Sequence, residues 1–295
     1  MFTPEFLAGC SIALLGVAAT IVIGAWLLRS ARTFPLQRRM AVFGAVAVCE
    51  LAFWLCVYAY FVAPNRPVVH EVSIVSEQWH GRPLRIAVFG NVGLTGPHMN
   101  AARVEGLVAQ IDDKLRPDLV VLLGNYVAGA PASQRSDRDR EQIARSFTAY
   151  ALLNAPMGVV AVLGDQDFRY GPDTTVRALE DAGVAVLANR NVSITRRGVS
   201  VVMAGADAER PDIAAALDGA PSGDVIALSN TQRAFVQAPA RAALMLTTCA
   251  DGPCGTRSVG GHLLYATTGL GMRRFRLFNA PEVALITLSG AGAAP

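Results

Sequence analysis

Two apolar runs near the front of the chain constrain its fold more than anything after them. Phe6 to Leu28 is 23 residues without a charge, and Met40 to Val62 is 23 residues interrupted by Glu50 alone. A helix of that length spans a hydrocarbon core about 30 Å thick. Met1 to Glu5 carries no basic residue, and the first run is too long for the apolar segment of a cleaved leader. The sequence therefore predicts two transmembrane helices, over about 6–28 and 40–62.

The link between them, Arg29 to Arg39, holds Arg29, Arg32, Arg38 and Arg39 and no acid. Excess arginine marks the cytoplasmic side. A two-pass hairpin dipping into the cytoplasm puts everything after it on the extracytoplasmic face of the inner membrane. The expected division is a membrane hairpin, 1–63, and an outer domain, 64–295, long enough for its own core. The outer domain has 22 basic against 21 acidic side chains, which gives no nucleic-acid footprint. Cys10, Cys49 and Cys56 lie in the apolar runs, and Cys249 and Cys254 are an even pair in the exported part.

Beyond the Pro64-Asn65-Arg66-Pro67 stop, Val68–Ser76 is rich in strand formers. Leu84–Phe89, apolar but for Arg85, and Leu119–Leu123 and Gly158–Leu163 are short apolar runs, as expected of strands buried on both faces. Helical spacing covers Met99–Leu115, Arg138–Leu153 and Thr174–Ala182, the last stopped by Gly183. Two strands are expected in Val184–Ala204, around a turn at Arg196-Arg197-Gly198, with more at Val225–Leu228, Ala243–Thr247, Leu263–Thr267 and Val283–Leu288. Strands that alternate with helices and then crowd together predict an α/β domain of two packed sheets with helices outside.

Five polar stations each end one of these strands: Gly90-Asn91-Val92-Gly93, Gly124-Asn125-Tyr126, Gly164-Asp165-Gln166-Asp167, Ser229-Asn230 and Thr248-Cys249-Ala250-Asp251. Strand ends are where α/β folds place their sites. In this order the stations resemble the motifs of the calcineurin-like metallophosphoesterases, which read Asp-x-His, Gly-Asp, Gly-Asn-His-Asp, a lone His, and Gly-His-x-His. The resemblance covers roughly residues 84–288, and the membrane-anchored bacterial subgroup is the most similar. It implies a four-layer α/β/β/α sandwich preceded by the transmembrane hairpin. It also implies two divalent ions that share a carboxylate and activate a bridging hydroxide.

Carried over by position, the ligands are almost all replaced. The first-motif Asp and His are Asn91 and Gly93. The bridging Asp is Asn125, and the third-motif Asn and catalytic His are Asp165 and Gln166. The lone His is Asn230, and the last two His are Cys249 and Asp251. None of His70, His80, His98 or His262 falls on a motif position; His98 is close to the first. Clustered carboxylates repel one another without metal charge, whereas neighbouring amides can satisfy one another. The expectation is a non-catalytic relative that requires no cofactor and binds a phosphorylated ligand, an envelope component or a partner protein through Asn91, Asn125, Asp165, Asn230, Asp251, Arg273 and Arg274. The alternative is a surviving hydrolase with one or two divalent ions (Mn, Zn, Mg or Ca) held at Asp165 and Asp251. The short stretch between Gly255 and His262 also resembles a trimmed form of the family's substrate cover.

Three further features carry open readings. Cys249 and Cys254 form a disulfide, a weak metal site or two free thiols. Arg273, Arg274 and Arg276 grip phosphate or anionic lipid heads, or belong to a solvated loop. Glu50, near the middle of its helix, pairs with another membrane protein or another copy, or is protonated and inert.

Overall fold

The computed structural model describes residues 11, 15–20, 22–26, 29, 35–95, 99–196, 198–236, 241–271, 276–277 and 279–292. Two compact units are present. One is Met1–Arg66 with Arg274–Ala280, and the other is Pro67–Arg273 with Pro281–Pro295.

In the first unit, residues 15–20 and 22–26 are helical; the rest of the expected first span lies largely outside the described residues. Helix α1, Leu36–Val57, begins after Pro35 and has no buried residue along its length. It continues through a π turn, Tyr58–Val62, and a 3-10 turn, Ala63–Asn65. Among the described residues, this continuous helix, Leu36–Asn65, is the one long and apolar enough to cross a membrane. Phe53 packs against Gly16 so closely that a Cβ there would overlap its ring. The later segment of this unit is tied to the helix: Arg276 is buried, and its backbone N–H donates to the Ala59 carbonyl at 2.9 Å.

The second unit is a mixed α/β fold with two six-stranded sheets. The first sheet has the order β1-β12-β2-β3-β4-β5, with β1 Val68–Ser76, β2 Leu84–Phe89, β3 Leu119–Leu122, β4 Val159–Ala161, β5 Ala185–Val186 and β12 Glu282–Gly290. The second has the order β10-β11-β9-β8-β7-β6, with β6 Arg190–Arg196, β7 Val199–Ala206, β8 Asp224–Ser229, β9 Ala242–Thr248, β10 Gly255–Val259 and β11 His262–Thr267. Strands β2 to β5 run parallel in the first sheet, and β7, β8, β9 and β11 run parallel in the second. Parallel pairing brings the C-terminal ends of the motif-bearing strands to a common edge in each sheet.

Alternation along the strands divides the core. Leu84, Ile86 and Val88 of β2 and Leu119 and Val121 of β3 share a buried cluster with Val201 and Met203 of β7, Ile226 and Leu228 of β8, and Leu244 and Leu246 of β9. The intervening residues Ala87, Phe89, Val120 and Leu122 join a second cluster. It also holds residues of α2 Ala101–Gln110, α3 Asp137–Tyr150 and α5 Pro172–Asp181. A strand alternates its side chains with period two, so runs such as Leu84–Phe89 supply both clusters at once. A third cluster joins the other residues of β7 to β9, such as Val202, Ala204 and Ala227, to Ile213 and Ala216 of α6 Ile213–Leu217.

The helix starts follow local chemistry. Asn100 accepts the Arg103 N–H ahead of α2, and Ser136 accepts the Asp139 N–H ahead of α3. The residues after Gly164 form the short helix α4, Asp165–Tyr170. The stretch read as a trimmed cover contains β10 and closes onto β11 through Gly260 and Gly261, both at positive φ (58° and 85°). Two residues in that conformation are what a tight hairpin turn requires.

Candidate functional site

The five stations stand where the strands predict them. Asn91 follows β2, Asn125 follows β3, Asp165 opens α4 after β4, Asn230 follows β8 and Cys249 follows β9. Asn91 and Asn125 both occupy the left-handed region, at φ 50° and 56°. Asparagine tolerates this conformation better than other residues with a side chain, because its amide bonds locally. Gly93 sits at φ 63°, where a histidine would be strained.

The side chains of Asn91, Asn125 and Asn230 are brought together and buried, with 6%, 3% and 4% of their surface exposed. Asn125 Nδ2 donates to Asn91 Oδ1 at 3.0 Å and to Asn230 Oδ1 at 3.2 Å. Asn230 Nδ2 donates to the Leu123 carbonyl at 2.5 Å and to Asn91 Oδ1 at 3.5 Å. The Gln166 backbone N–H donates to Asn125 Oδ1 at 2.9 Å. Asn230 belongs to the second sheet and the others to the first, so the amides join the two sheets at their C-terminal edges.

Beneath this cluster lies Asp167, fully buried. Its carboxylate accepts backbone N–H groups from Asn125 at 2.7 Å, Tyr126 at 2.8 Å, Gly164 at 2.9 Å and Val127 at 3.4 Å. Burial pushes this carboxyl up to about 7, while the four N–H donors act in the opposite sense. Asp167 thus fixes the second and third stations against each other. The sequence marks it only as a motif position; its role as a four-fold acceptor has no signature in spacing.

The remaining station residues face elsewhere. Asp165 is exposed and pairs with Arg169 at 2.7 Å. Gln166 Nε2 donates to Asp165 at 3.0 Å, so its side chain joins that surface pair and not the amides. Asp251 accepts from the Thr231 hydroxyl, from the Gln232 N–H at 3.1 Å and from Arg233 Nε at 3.5 Å. Burial alone would raise the Asp251 carboxyl, but these hydrogen bonds together outweigh it and hold the group below its usual value. Cys249 and Cys254 are joined in a disulfide, with their Cα atoms 4.9 Å apart. Arg273, Arg274 and His98 lie outside the described residues.

Among the described residues, no three His, Cys, Asp or Glu side chains gather as a metal would require. The donor set does not fit a dinuclear centre. The position of the bridging carboxylate is an amide whose nitrogen points at two neighbouring oxygens, and the two station carboxylates are engaged by separate partners. The segment Thr231–Arg233, which holds the Asp251 loop, is not marked by the motif spacing. Its signal is the Ser229-Asn230-Thr231 run, whose Thr231 hydroxyl caps the turn that follows by accepting the Arg233 N–H at 3.3 Å.

No family model matches the chain. It is 26% identical over 160 residues to metallophosphoesterase F40B5.2 of Caenorhabditis elegans, covering 53% of this chain and 31% of that protein. It is 31% identical over 112 residues to a metallophosphoesterase of Aquifex aeolicus strain VF5 whose function is uncharacterized, covering 38% of each. The matched region therefore spans under two fifths of either relative. Among solved structures, TT1561 of Thermus thermophilus superposes at a TM-score of 0.41 with 14% identity, over 63% of this chain and 90% of that one. A novel archaeal phosphodiesterase superposes at 0.33 with 10% identity, over 63% and 84%. Both sequence relatives carry a metallophosphoesterase name, and the chain is similar to that superfamily in these matches and in the order of its five strand-end stations.

Proposed function

We propose that this protein is a non-catalytic, membrane-anchored member of the superfamily. In this reading a two-helix hairpin fixes a four-layer α/β/β/α domain to the extracytoplasmic side of a bacterial inner membrane. The strand-end face binds a phosphorylated ligand, an envelope component or a partner protein without turning it over. The observation that carries the reading is the Asn125 amide, whose Nδ2 bonds to both Asn91 and Asn230. Hydrolysis in this superfamily needs anionic and imidazole ligands that hold two ions about 3.5–4 Å apart. An amide is neutral, and here its donor is already committed.

Binding needs a shaped surface and not the metals, and the flanks of the amide cluster offer charge for it. Asp165, Arg169 and Glu209 line an open depression of about 300 Å³ together with Phe168. Loss of the bridging carboxylate and of the catalytic imidazole each removes orders of magnitude of rate, which leaves little to select for as hydrolysis.

The test is metal content and phosphodiesterase activity of the full chain in detergent, after incubation with Mn²⁺, Zn²⁺ and Mg²⁺ and desalting. The expected result is no retained metal and no hydrolysis of a nitrophenyl phosphodiester. About two retained ions per chain, as a dinuclear centre holds, with metal-dependent hydrolysis, would overturn the proposal in favour of a rebuilt hydrolase.

A further inference from the structure

The loop that ends β9 joins the disulfide to the amide cluster through a continuous series of contacts. Cys249 is buried, at 2% exposure, and its N–H donates to the Thr267 carbonyl at 2.9 Å. Cys254, five residues on, is exposed and precedes β10. Between them, Asp251 accepts from Thr231, Gln232 and Arg233. Gln232 reaches the other way: its Nε2 donates to the Thr248 carbonyl at 3.3 Å and the Pro253 carbonyl at 3.0 Å. Arg257 of β10 donates to the Gln232 side-chain oxygen. A Cβ at Gly252 would overlap that oxygen, so the loop lies directly on Gln232. The Thr248 hydroxyl donates to the Asn230 carbonyl at 2.7 Å, and Asn230 is one of the three clustered amides.

We propose that Cys249–Cys254 is a thiol-exchange site for a dithiol reductant, and that its redox state sets whether the fourth and fifth stations are locked together. The asymmetry of the pair fixes the direction of attack. A thiolate of the dithiol approaches the exposed Cys254 sulfur and forms a new S–S bond there. The Cys254–Cys249 bond breaks, and Cys249 leaves as a thiolate that takes a proton. The second thiol of the reductant then attacks its own sulfur in the mixed disulfide, releasing Cys254 as a thiol and the reductant as a cyclic disulfide. Two electrons pass from the dithiol to the protein. Once opened, the loop retains Asp251 and Pro253 as points of attachment but no longer has a covalent closure holding both against Gln232. The segment 230–236 gains freedom, and with it the Asn230 corner of the amide cluster.

The experiment compares the full chain in detergent before and after treatment with dithiothreitol, with thiol alkylation and peptide mass analysis to locate the reduced cysteines. Hydrogen exchange is then followed peptide by peptide. The expected result is alkylation of Cys249 and Cys254 in the folded protein. It comes with about a tenfold rise in exchange across 230–236 and 249–254, and with unchanged protection in β2 and β3. Cys254→Ser should reproduce the same local pattern without reductant. Three results would each overturn the proposal: a pair that reacts only in denaturant, a reduced pair with 230–236 unchanged, or a loss of protection extending to β2 and β3.

Discussion

Asn125 Nδ2 stands 3.0 Å from Asn91 Oδ1, a donor facing an acceptor at a place where the superfamily resemblance implies two carboxylates sharing a metal. The polarity of that contact makes the site self-sufficient. Asn125→Asp would replace the donor by an acceptor facing both Asn91 and Asn230, in a site with 3% exposure. The expected cost is about 2–4 kcal/mol at neutral pH, from the lost bonds and the buried charge. Burial would raise the new carboxyl above its unfolded value, so the deficit should shrink as pH falls and the group is protonated. Thermal unfolding of the full chain in detergent at pH 5 and pH 8 checks this; a variant as stable as the parent at both would refute it.

Asp167 gives the parent protein its own pH signature. Its folded value is raised to about 7 from 3.8. The folded state therefore binds the proton more tightly than the unfolded chain. That contribution is fully present below about pH 4 and is lost as pH rises through 7. Asp167→Asn removes the titration. It also turns an amide donor toward one pair of the four backbone N–H groups, either Asn125 and Gly164 or Tyr126 and Val127, at a cost of about 3 kcal/mol. The stability gap between parent and variant should therefore narrow between pH 4 and pH 8. Denaturation midpoints across that range measure it, and a constant gap would mean that Asp167 does not titrate there.

Much of this architecture is legible in the sequence because strands such as Leu119–Leu122, and Leu84–Phe89 apart from the exposed Arg85, bury both faces and read as apolar runs. The strand-end positions of Asn91, Asn125 and Asn230 follow directly from those runs. Less visible are elements set by partners distant in sequence. β5 is two residues, Ala185–Val186, too short to show a period. β10 alternates exposure through Gly255-Thr256-Arg257-Ser258-Val259 and owes its pairing to the hairpin with β11. The separation of Asp165 from Asp251 is equally hidden, because it depends on Arg169 one helical turn away and on Thr231–Arg233 from a neighbouring strand end.

Glycines test how tightly the stations are packed. At Gly164 a Cβ would overlap Asn125 Oδ1 and stand 2.7 Å from the Asn125 backbone nitrogen. Gly164→Ala should displace the amide cluster and cost about 3 kcal/mol or more. Gly106, exposed within α2, has nothing within 4 Å of the same construction. Gly106→Ala should stabilise by about 0.5–1 kcal/mol through helix propensity. Unfolding midpoints that move in the same direction for both would contradict the packing described at the strand ends.

Glu50 supplies the last expectation, in the unit that holds the long apolar helix. It lies within α1 on the same face as Phe53, three residues away, and Phe53 is the residue packed on Gly16. Among the described residues, its Oε2 is buried with no hydrogen-bond partner. A carboxyl without a partner at mid-helix costs about 2.5–3.5 kcal/mol on insertion scales. Replacing it by an apolar residue of similar length removes that cost and leaves the Phe53–Gly16 contact in place. Glu50→Leu should therefore raise the midpoint of this unit in micelles, followed by helical circular dichroism. Glu50→Gln, which keeps the shape and the unpaired polarity, should leave it nearly unchanged. A fall in stability for Glu50→Leu would mean that the carboxyl is satisfied in the membrane by a second helix-bearing chain, and size determination of the two proteins in the same detergent would then show the parent as the larger assembly.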